Sequence, residues 1–306
     1  MFGKGYNYKA FERNRLLKDM AASKIGNTPS AGDRAPAFEA RTLDGEKIRL
    51  KDFRGEKNVV LTFGSATCPA TAASLPELNE LYHDRDNDVE FLFVYVREAH
   101  PGERIPAHED MGDKIRAAER LRQQEDVDIP IVMDEWDGRI HRKYGKLPNP
   151  SFIIDKSGRI AFRSLYTRPK VIAKALDELL TVQHERGEDH AIVLGGEDLS
   201  LPSLQVMLRA HRALERGGER AMATFRRELG VPGRVVLTTS RLAQPILENP
   251  GKTVAAIATA ALVIGAGIWG GLLLRRKRLG TYRSPYESRR FQRHTGWGGE
   301  YEAVGI

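Results

Sequence analysis

The segment Asn58–Phe63 sets Val59, Val60, Leu61 and Phe63 in nearly unbroken succession, the pattern of a strand buried on both faces of a sheet. Such a strand needs covering elements on both sides, and the sequence supplies them in alternation. Helical sequence runs from Pro69 to Tyr82, and Glu90–Val96 is a second buried strand. Met111–Gln124 is a helix with Ile115, Ala118 and Leu121 on one face, and Ile129–Met133 is a third strand. Pro150–Asp155 and Arg159–Leu165 form a hairpin through Lys156-Ser157-Gly158. Pro169–Val182 closes the unit as a helix opening on proline, a favoured first helical position. With a short strand at Lys47–Leu50, the succession predicts an α/β domain over residues 31–182, a mixed sheet flanked by helices.

The flanks read differently. Residues 1–30 form a polar, basic N-terminal arm with a short helix around Tyr8–Ala22. Residues 183–250 are a helical linker region, amphipathic over Leu201–Glu215 and Glu219–Leu229, suited either to packing on the domain or to self-association. Thr253–Leu274 is 22 residues without a charge, the length of one membrane-spanning helix. Gly267 and Gly271 carry the small-xxx-small spacing of helix dimers, so a homo-oligomer joins the membrane among the expected partners. The tail, residues 275–306, has eight cations against three acids and accounts for five of the net +7. The remainder is nearly balanced, which excludes a general nucleic-acid surface. Arg275–Arg278 favour a cytoplasmic tail by the positive-inside rule. The N-terminal sequence nevertheless shows no apolar run of signal-peptide length. The expectation is a single-pass membrane protein whose domain faces the cytoplasm.

Cys68 is the one cysteine. An intramolecular disulfide and a thiolate-based zinc site are excluded, and no bound cofactor or metal is expected. Cys68 falls where a buried strand gives way to a helix starting at Pro69. Unpaired N–H groups and the helix dipole stabilise an anion there, which predicts a nucleophilic thiolate with a lowered pKa. A buried, inert cysteine is the alternative. Pro76, eight residues on, is expected to kink the helix. Pro250-Gly251-Lys252-Thr253 lacks the leading glycine of a phosphate loop, and Asp84, Asp86 and Asp88 lack the glycine and closing glutamate of a calcium loop.

Cys68-Pro69-Ala70-Thr71 at a helix start, with Asn149-Pro150-Ser151 before the strand Phe152-Ile153-Ile154-Asp155, resembles the thioredoxin superfamily. That resemblance implies that Pro150 is the cis-proline facing the cysteine. Three further motifs resemble the iodothyronine deiodinase family and its bacterial cysteine-containing relatives. They are Phe63-Gly64-Ser65-Ala66-Thr67-Cys68-Pro69, the strand from Phe91 ending in Glu98-Ala99-His100-Pro101, and Ile105-Pro106-Ala107-His108 before a helix with Arg116-Ala117-Ala118. Together they cover roughly residues 59–121. The resemblance implies that Cys68, standing where animal deiodinases carry selenocysteine, is the nucleophile. It places Glu98, His100 and His108 at the pocket as catalytic residues and Ser65, Thr67, Thr71 and Pro150 on the substrate. Carboxylate and imidazole are suited to orienting substrate and moving protons near neutral pH.

Departures narrow the chemistry. Ala66 stands where several deiodinases have a second cysteine, Thr71 excludes a Cys-x-x-Cys pair, and Leu61 stands where a peroxiredoxin has proline. Turnover would therefore pass through an oxidised Cys68 resolved by an external thiol. The expected function is a membrane-anchored, thiol-dependent oxidoreductase acting on a small molecule, by reductive dehalogenation or peroxide reduction. The alternative is a non-catalytic, membrane-anchored binding or scaffold protein of the same fold.

Overall fold

The computed structural model describes residues 5–248 except 25–27, 86–88, 187–191, 195–196 and 201–203. The expected span Thr253–Leu274 and the basic tail lie outside the described residues; among those described, no helix is long and apolar enough to cross a membrane. In chain order the elements are α1 (Arg13–Lys24), β1 (Glu39–Thr42), β2 (Lys47–Arg49), β3 (Asn58–Gly64), α2 (Pro69–Arg85), β4 (Val89–Tyr95), α3 (Met111–Glu125) and β5 (Ile131–Met133). There follow α4 (Arg139–Tyr144), β6 (Ser151–Ile154), β7 (Ile160–Ser164), α5 (Pro169–Arg186), β8 (Glu197–Asp198), α6 (Leu204–Leu208), α7 (Ala210–Gly217) and α8 (Glu219–Glu248).

The strands form one sheet in the order β2-β1-β5-β4-β3-β6-β7-β8. β3 pairs parallel with β4 and antiparallel with β6, and β4 pairs parallel with β5. This is a thioredoxin-like sheet. All seven residues of β3 are buried, as its apolar run requires. Val60 packs with Leu75, Leu78, Leu121 and Leu179 on one face. Val59, Leu61 and Phe63 pack with Phe38, Ile140 and Tyr144 on the other. The strands β1 and β8 and the short helix α4 are additions to the expected pattern. β1 and β8 span four and two residues, too few to establish an alternation. α2 runs through Pro76 to Arg85.

The N-terminal segment is docked against the domain, not free as an arm. Tyr6 is 1% exposed and Phe11 5%. The Tyr6 hydroxyl donates to His141 Nδ1 at 2.7 Å, and His141 Nε2 lies 2.6 Å from the Leu147 carbonyl oxygen. A carbonyl only accepts, so Nε2 carries the proton and Nδ1 takes the tyrosine's. The Arg97 N–H donates back to the Tyr6 hydroxyl oxygen at 3.3 Å. Tyr6→Phe would strand a buried acceptor and a buried donor. It is expected to cost about 1–3 kcal/mol, read as a shift in urea-unfolding midpoint. A change within about 0.5 kcal/mol would mean that the segment contributes nothing to the fold.

The region after α5 also packs on the domain. α6 and α7 lie against α2 and are covered by α8, whose backbone breaks at Gly230 (φ 61°) two residues before Pro232. The loop after β4 holds this unit in place. The Glu103 carboxylate accepts the N–H groups of Glu219 and Arg220 at 2.6 and 2.9 Å, capping α8. A Cβ on Gly102 would overlap the Gly217 carbonyl oxygen, so glycine is what lets loop and helix meet.

Candidate active site

β3 ends at Gly64 and the chain turns, with the Cys68 N–H donating to the Ser65 carbonyl at 3.2 Å. The Ala72 N–H then donates to the Cys68 carbonyl at 3.0 Å as α2 begins. Cys68 therefore sits at the amino end of α2, as the sequence predicts. Its thiol is nevertheless pushed up, not down. Burial dominates, the residue being 2% exposed, and the negative Glu98 adds to it. The Thr71 and Ala70 N–H groups and the Thr71 hydroxyl favour the thiolate but do not outweigh the lost solvation. The expected lowering is thus corrected: the helix contributes in the expected direction and desolvation wins.

Behind the cysteine lies a buried acid–imidazole cluster. Thr67 donates both its N–H and its hydroxyl to Glu98 Oε2, at 2.9 and 2.6 Å. Tyr95 donates its hydroxyl to Oε1 at 2.5 Å, and His108 Nε2 lies 3.3 Å from the same oxygen. Burial alone would raise the Glu98 carboxyl; His108, Thr67 and Tyr95 together reverse that and hold it below the usual carboxylate range. The same groups stitch the cysteine loop to the loop after β4. Thr67 Oγ1 accepts the His100 N–H at 3.0 Å, Ser65 Oγ accepts the Ala99 N–H at 3.2 Å, and Thr71 Oγ1 accepts the Ser65 N–H at 3.3 Å.

A cavity of about 230 Å³ opens beside Cys68. Tyr8 and Phe11 from the N-terminal segment line it, with His100, Pro148 and Tyr166 from the domain and Met207, Phe225, Leu229 and Val236 from the C-terminal helices. The His100 ring lies between Phe11 and Phe225, at centroid distances of 4.4 and 5.4 Å. Burial pushes its pKa down to about 3, Glu98 opposing only in part, so the imidazole is neutral. Its Nδ1 has no hydrogen-bond partner among the described residues.

Among the predicted residues, Cys68 and His100 line the cavity, whereas Glu98 and His108 lie behind the wall. Ser65, Thr67 and Thr71 are loop-fixing groups and do not line it. Pro150 is trans and off the cavity: its carbonyl accepts the Phe63 N–H at 3.1 Å, and Pro148 is the proline at the wall. The sequence reading also missed Tyr95, which lay inside a quoted motif, and Arg97. The Arg97 guanidinium donates to Asp19 at 2.6 Å and covers the Tyr6 and Tyr8 rings, each at 5.0 Å, locking the N-terminal segment over the site. Lys114 was missed as well. It is fully buried, donates to the Glu135 carbonyl at 3.0 Å, and is pushed down to about 8 by burial against the pull of Asp134 and Glu98. Among the described residues no cluster of metal-ligating side chains occurs.

A thioredoxin-like sheet presenting one cysteine at the start of the helix after its central strand defines the class of protein. Within that class the chain belongs to the iodothyronine deiodinase family, whose model matches residues 14–170. It is 34% identical over 136 residues to thyroxine 5-deiodinase of Gallus gallus, covering 41% of this chain and 52% of that protein. It is 33% identical over 131 residues to the thiol-disulfide oxidoreductase ResA of Bacillus thuringiensis subsp. konkukian (strain 97-27), covering 42% of this chain and 66% of the relative. The thioredoxin domain of a thiol-disulfide oxidoreductase from Bacteroides vulgatus superposes with a TM-score of 0.38 at 19% identity, over 48% of this chain and 98% of that one. The chain thus spans about half to two thirds of the length of these curated relatives. The helices α6–α8, which complete the cavity, follow the matched residues.

Proposed function

We propose that this chain is a thiol-dependent oxidoreductase that reductively dehalogenates an aromatic substrate, with Cys68 as nucleophile, an external thiol as reductant and residues 253–274 as membrane anchor. The observation that carries the reading is the position of Cys68. It stands between an apolar, aromatic-lined cavity and a buried carboxylate–imidazole cluster. Family membership supports thiol-based redox chemistry. The apolar lining favours an aromatic halide over a small, polar peroxide.

The steps balance as follows. The Cys68 thiolate attacks the halogen; the carbon–halogen bond breaks, a sulfur–halogen bond forms, and the carbon takes a proton. An external thiol displaces halide from sulfur, giving a mixed disulfide. A second thiol releases Cys68 as the second disulfide forms. The sum consumes two thiols and yields reduced arene, disulfide, halide and a proton. Glu98, held ionised, fixes Thr67 beside the nucleophile and keeps His108 at hand for proton movement.

A non-catalytic binding role is favoured by one observation, that burial holds Cys68 as a thiol. The deciding assay incubates the full chain with a halogenated phenol and dithiothreitol and follows free halide. Halide release matched by disulfide formation is the expected result. Peroxide consumption without halide release would replace dehalogenation by peroxide reduction. Neither activity would leave the binding role.

A further inference from the structure

We infer that the outer face of α8 lies on an anionic lipid surface, beside the membrane anchor proposed for residues 253–274, and so sets how the domain sits there. The inference rests on that anchor reading. Its first support is chain length. α8 ends at Glu248, five residues before Thr253, where the charge-free stretch begins. An extended chain covers at most about 3.6 Å per residue, which tethers the end of α8 within about 18 Å of that stretch.

The second support is the surface that α8 presents. Beyond the break at Gly230 the helix turns apolar side chains in two directions. Inward, Leu237, Ser240 and Ala243 are buried. Leu237 packs with Ala210 and Leu214 of α7, and Ser240 Oγ accepts the His211 N–H at 3.1 Å. Outward, Val231 and Leu242 are 70% and 69% exposed, the most exposed large hydrophobic side chains among the described residues. Their spacing is about three helical turns, so they lie on one line along the helix, with the exposed Thr238 between them. Arg234 and Arg241, about two turns apart, flank that line and are exposed. No acid occurs between Glu228 and Glu248. A lone exposed valine or leucine is ordinary. An apolar line edged by cations and free of acids, on the helix that leads into the anchor, fits the headgroup layer of an anionic bilayer. Leu229 and Val236 of the same helix line the cavity beside Cys68, which places that cavity one helix diameter, about 10 Å, from the headgroups.

The test uses the full chain carrying Cys68→Ser and Leu242→Cys, labelled with a fluorophore at the new thiol. It is reconstituted into phosphatidylcholine vesicles with or without phosphatidylserine, and quenching by aqueous acrylamide is measured. The same chain with Lys51→Cys in place of Leu242→Cys, labelled at an exposed position beside β2, is the reference. With phosphatidylserine present, the probe at position 242 is expected to be quenched about threefold or more weakly than the probe at position 51. Adding Arg234→Glu and Arg241→Glu is expected to restore its quenching while the chain still co-floats with the vesicles. Equal quenching at the two positions, in a chain that co-floats, would overturn the inference and leave the anchor standing. Equal protection without phosphatidylserine would overturn the anionic requirement. Protection that persists in detergent and rises with chain concentration would overturn the inference in favour of a second copy on this face. A chain that does not co-float would defeat the anchor reading, and the inference with it.

Discussion

Replacing Cys68 with serine is expected to lower thiol-dependent turnover by about 10³-fold or more, leaving a folded chain. Cys68 is the sole cysteine, so no other side chain can form a sulfur–halogen bond or a mixed disulfide. A serine hydroxyl ionises far too weakly to substitute, and it does not cycle through a redox state. The fold survives because serine nearly matches cysteine in shape, and because N–H groups of Ala70 and Thr71 already face that position. Unmutated chain should show a rate that climbs with pH across the neutral to alkaline range. Burial raises the thiol above the about 8.5 of a free cysteine, so the thiolate fraction is small at pH 7 and grows as pH rises. Halide release against pH, for both proteins, is the measurement. A serine variant within tenfold of the unmutated rate would remove Cys68 from the mechanism. A rate that is flat from pH 7 to 9 would mean that bound substrate lowers the thiol pKa.

What was legible in the sequence follows from what leaves a periodic or positional mark. The β3–α2–β4 unit was legible because a doubly buried strand must be continuously apolar, and because Cys68-Pro69 marks a helix start. Glu98, His100 and His108 were legible as motif residues; His100 lines the cavity with Cys68, while Glu98 and His108 meet behind its wall. The docking of the N-terminal segment left no such mark. Tyr6, Tyr8 and Phe11 are lone aromatics in a polar stretch, each plugging a gap made by distant residues. The direction of the Cys68 shift was misread for the same reason. A helix N-terminus is local and visible, whereas the burial that overrides it comes from Ala99, Leu147, Leu165 and Tyr166, far off along the chain. Packing and self-association were both open for residues 183–250; of the described residues there, α6 and α7 pack on α2. Pro148 and Pro150 flank one asparagine, and only the three-dimensional path of the chain decides which one meets the cavity.

Acidification from pH 7 to 5 is expected to destabilise the fold by about 2 kcal/mol through His100 alone. Its folded pKa is about 3 because burial disfavours the charged ring, against about 6.5 in an unfolded chain. As pH falls below about 6.5 the unfolded state takes up a proton that the folded state refuses. Stability is therefore complete above that value and declines by about 1.4 kcal/mol per pH unit until the folded pKa is reached. His141, also held well below its ordinary value by burial, Arg97 adding to it, contributes a slope of the same sign. Glu98, held low, adds its own loss only at still lower pH, where an ordinary glutamate protonates. His100→Phe isolates the first contribution. Phenylalanine keeps the stack with Phe11 and Phe225 and removes the unpaired Nδ1, so at pH 7 the variant should match or exceed the unmutated chain. Between pH 7 and 5 it should lose about half as much stability, His141 supplying the remainder. Urea unfolding followed by circular dichroism at the two pH values measures both slopes. Equal losses in the two proteins would show that the His100 ring accepts a proton in the folded state. It would then be reached by water, and the burial that holds its pKa down in the folded chain would not exist.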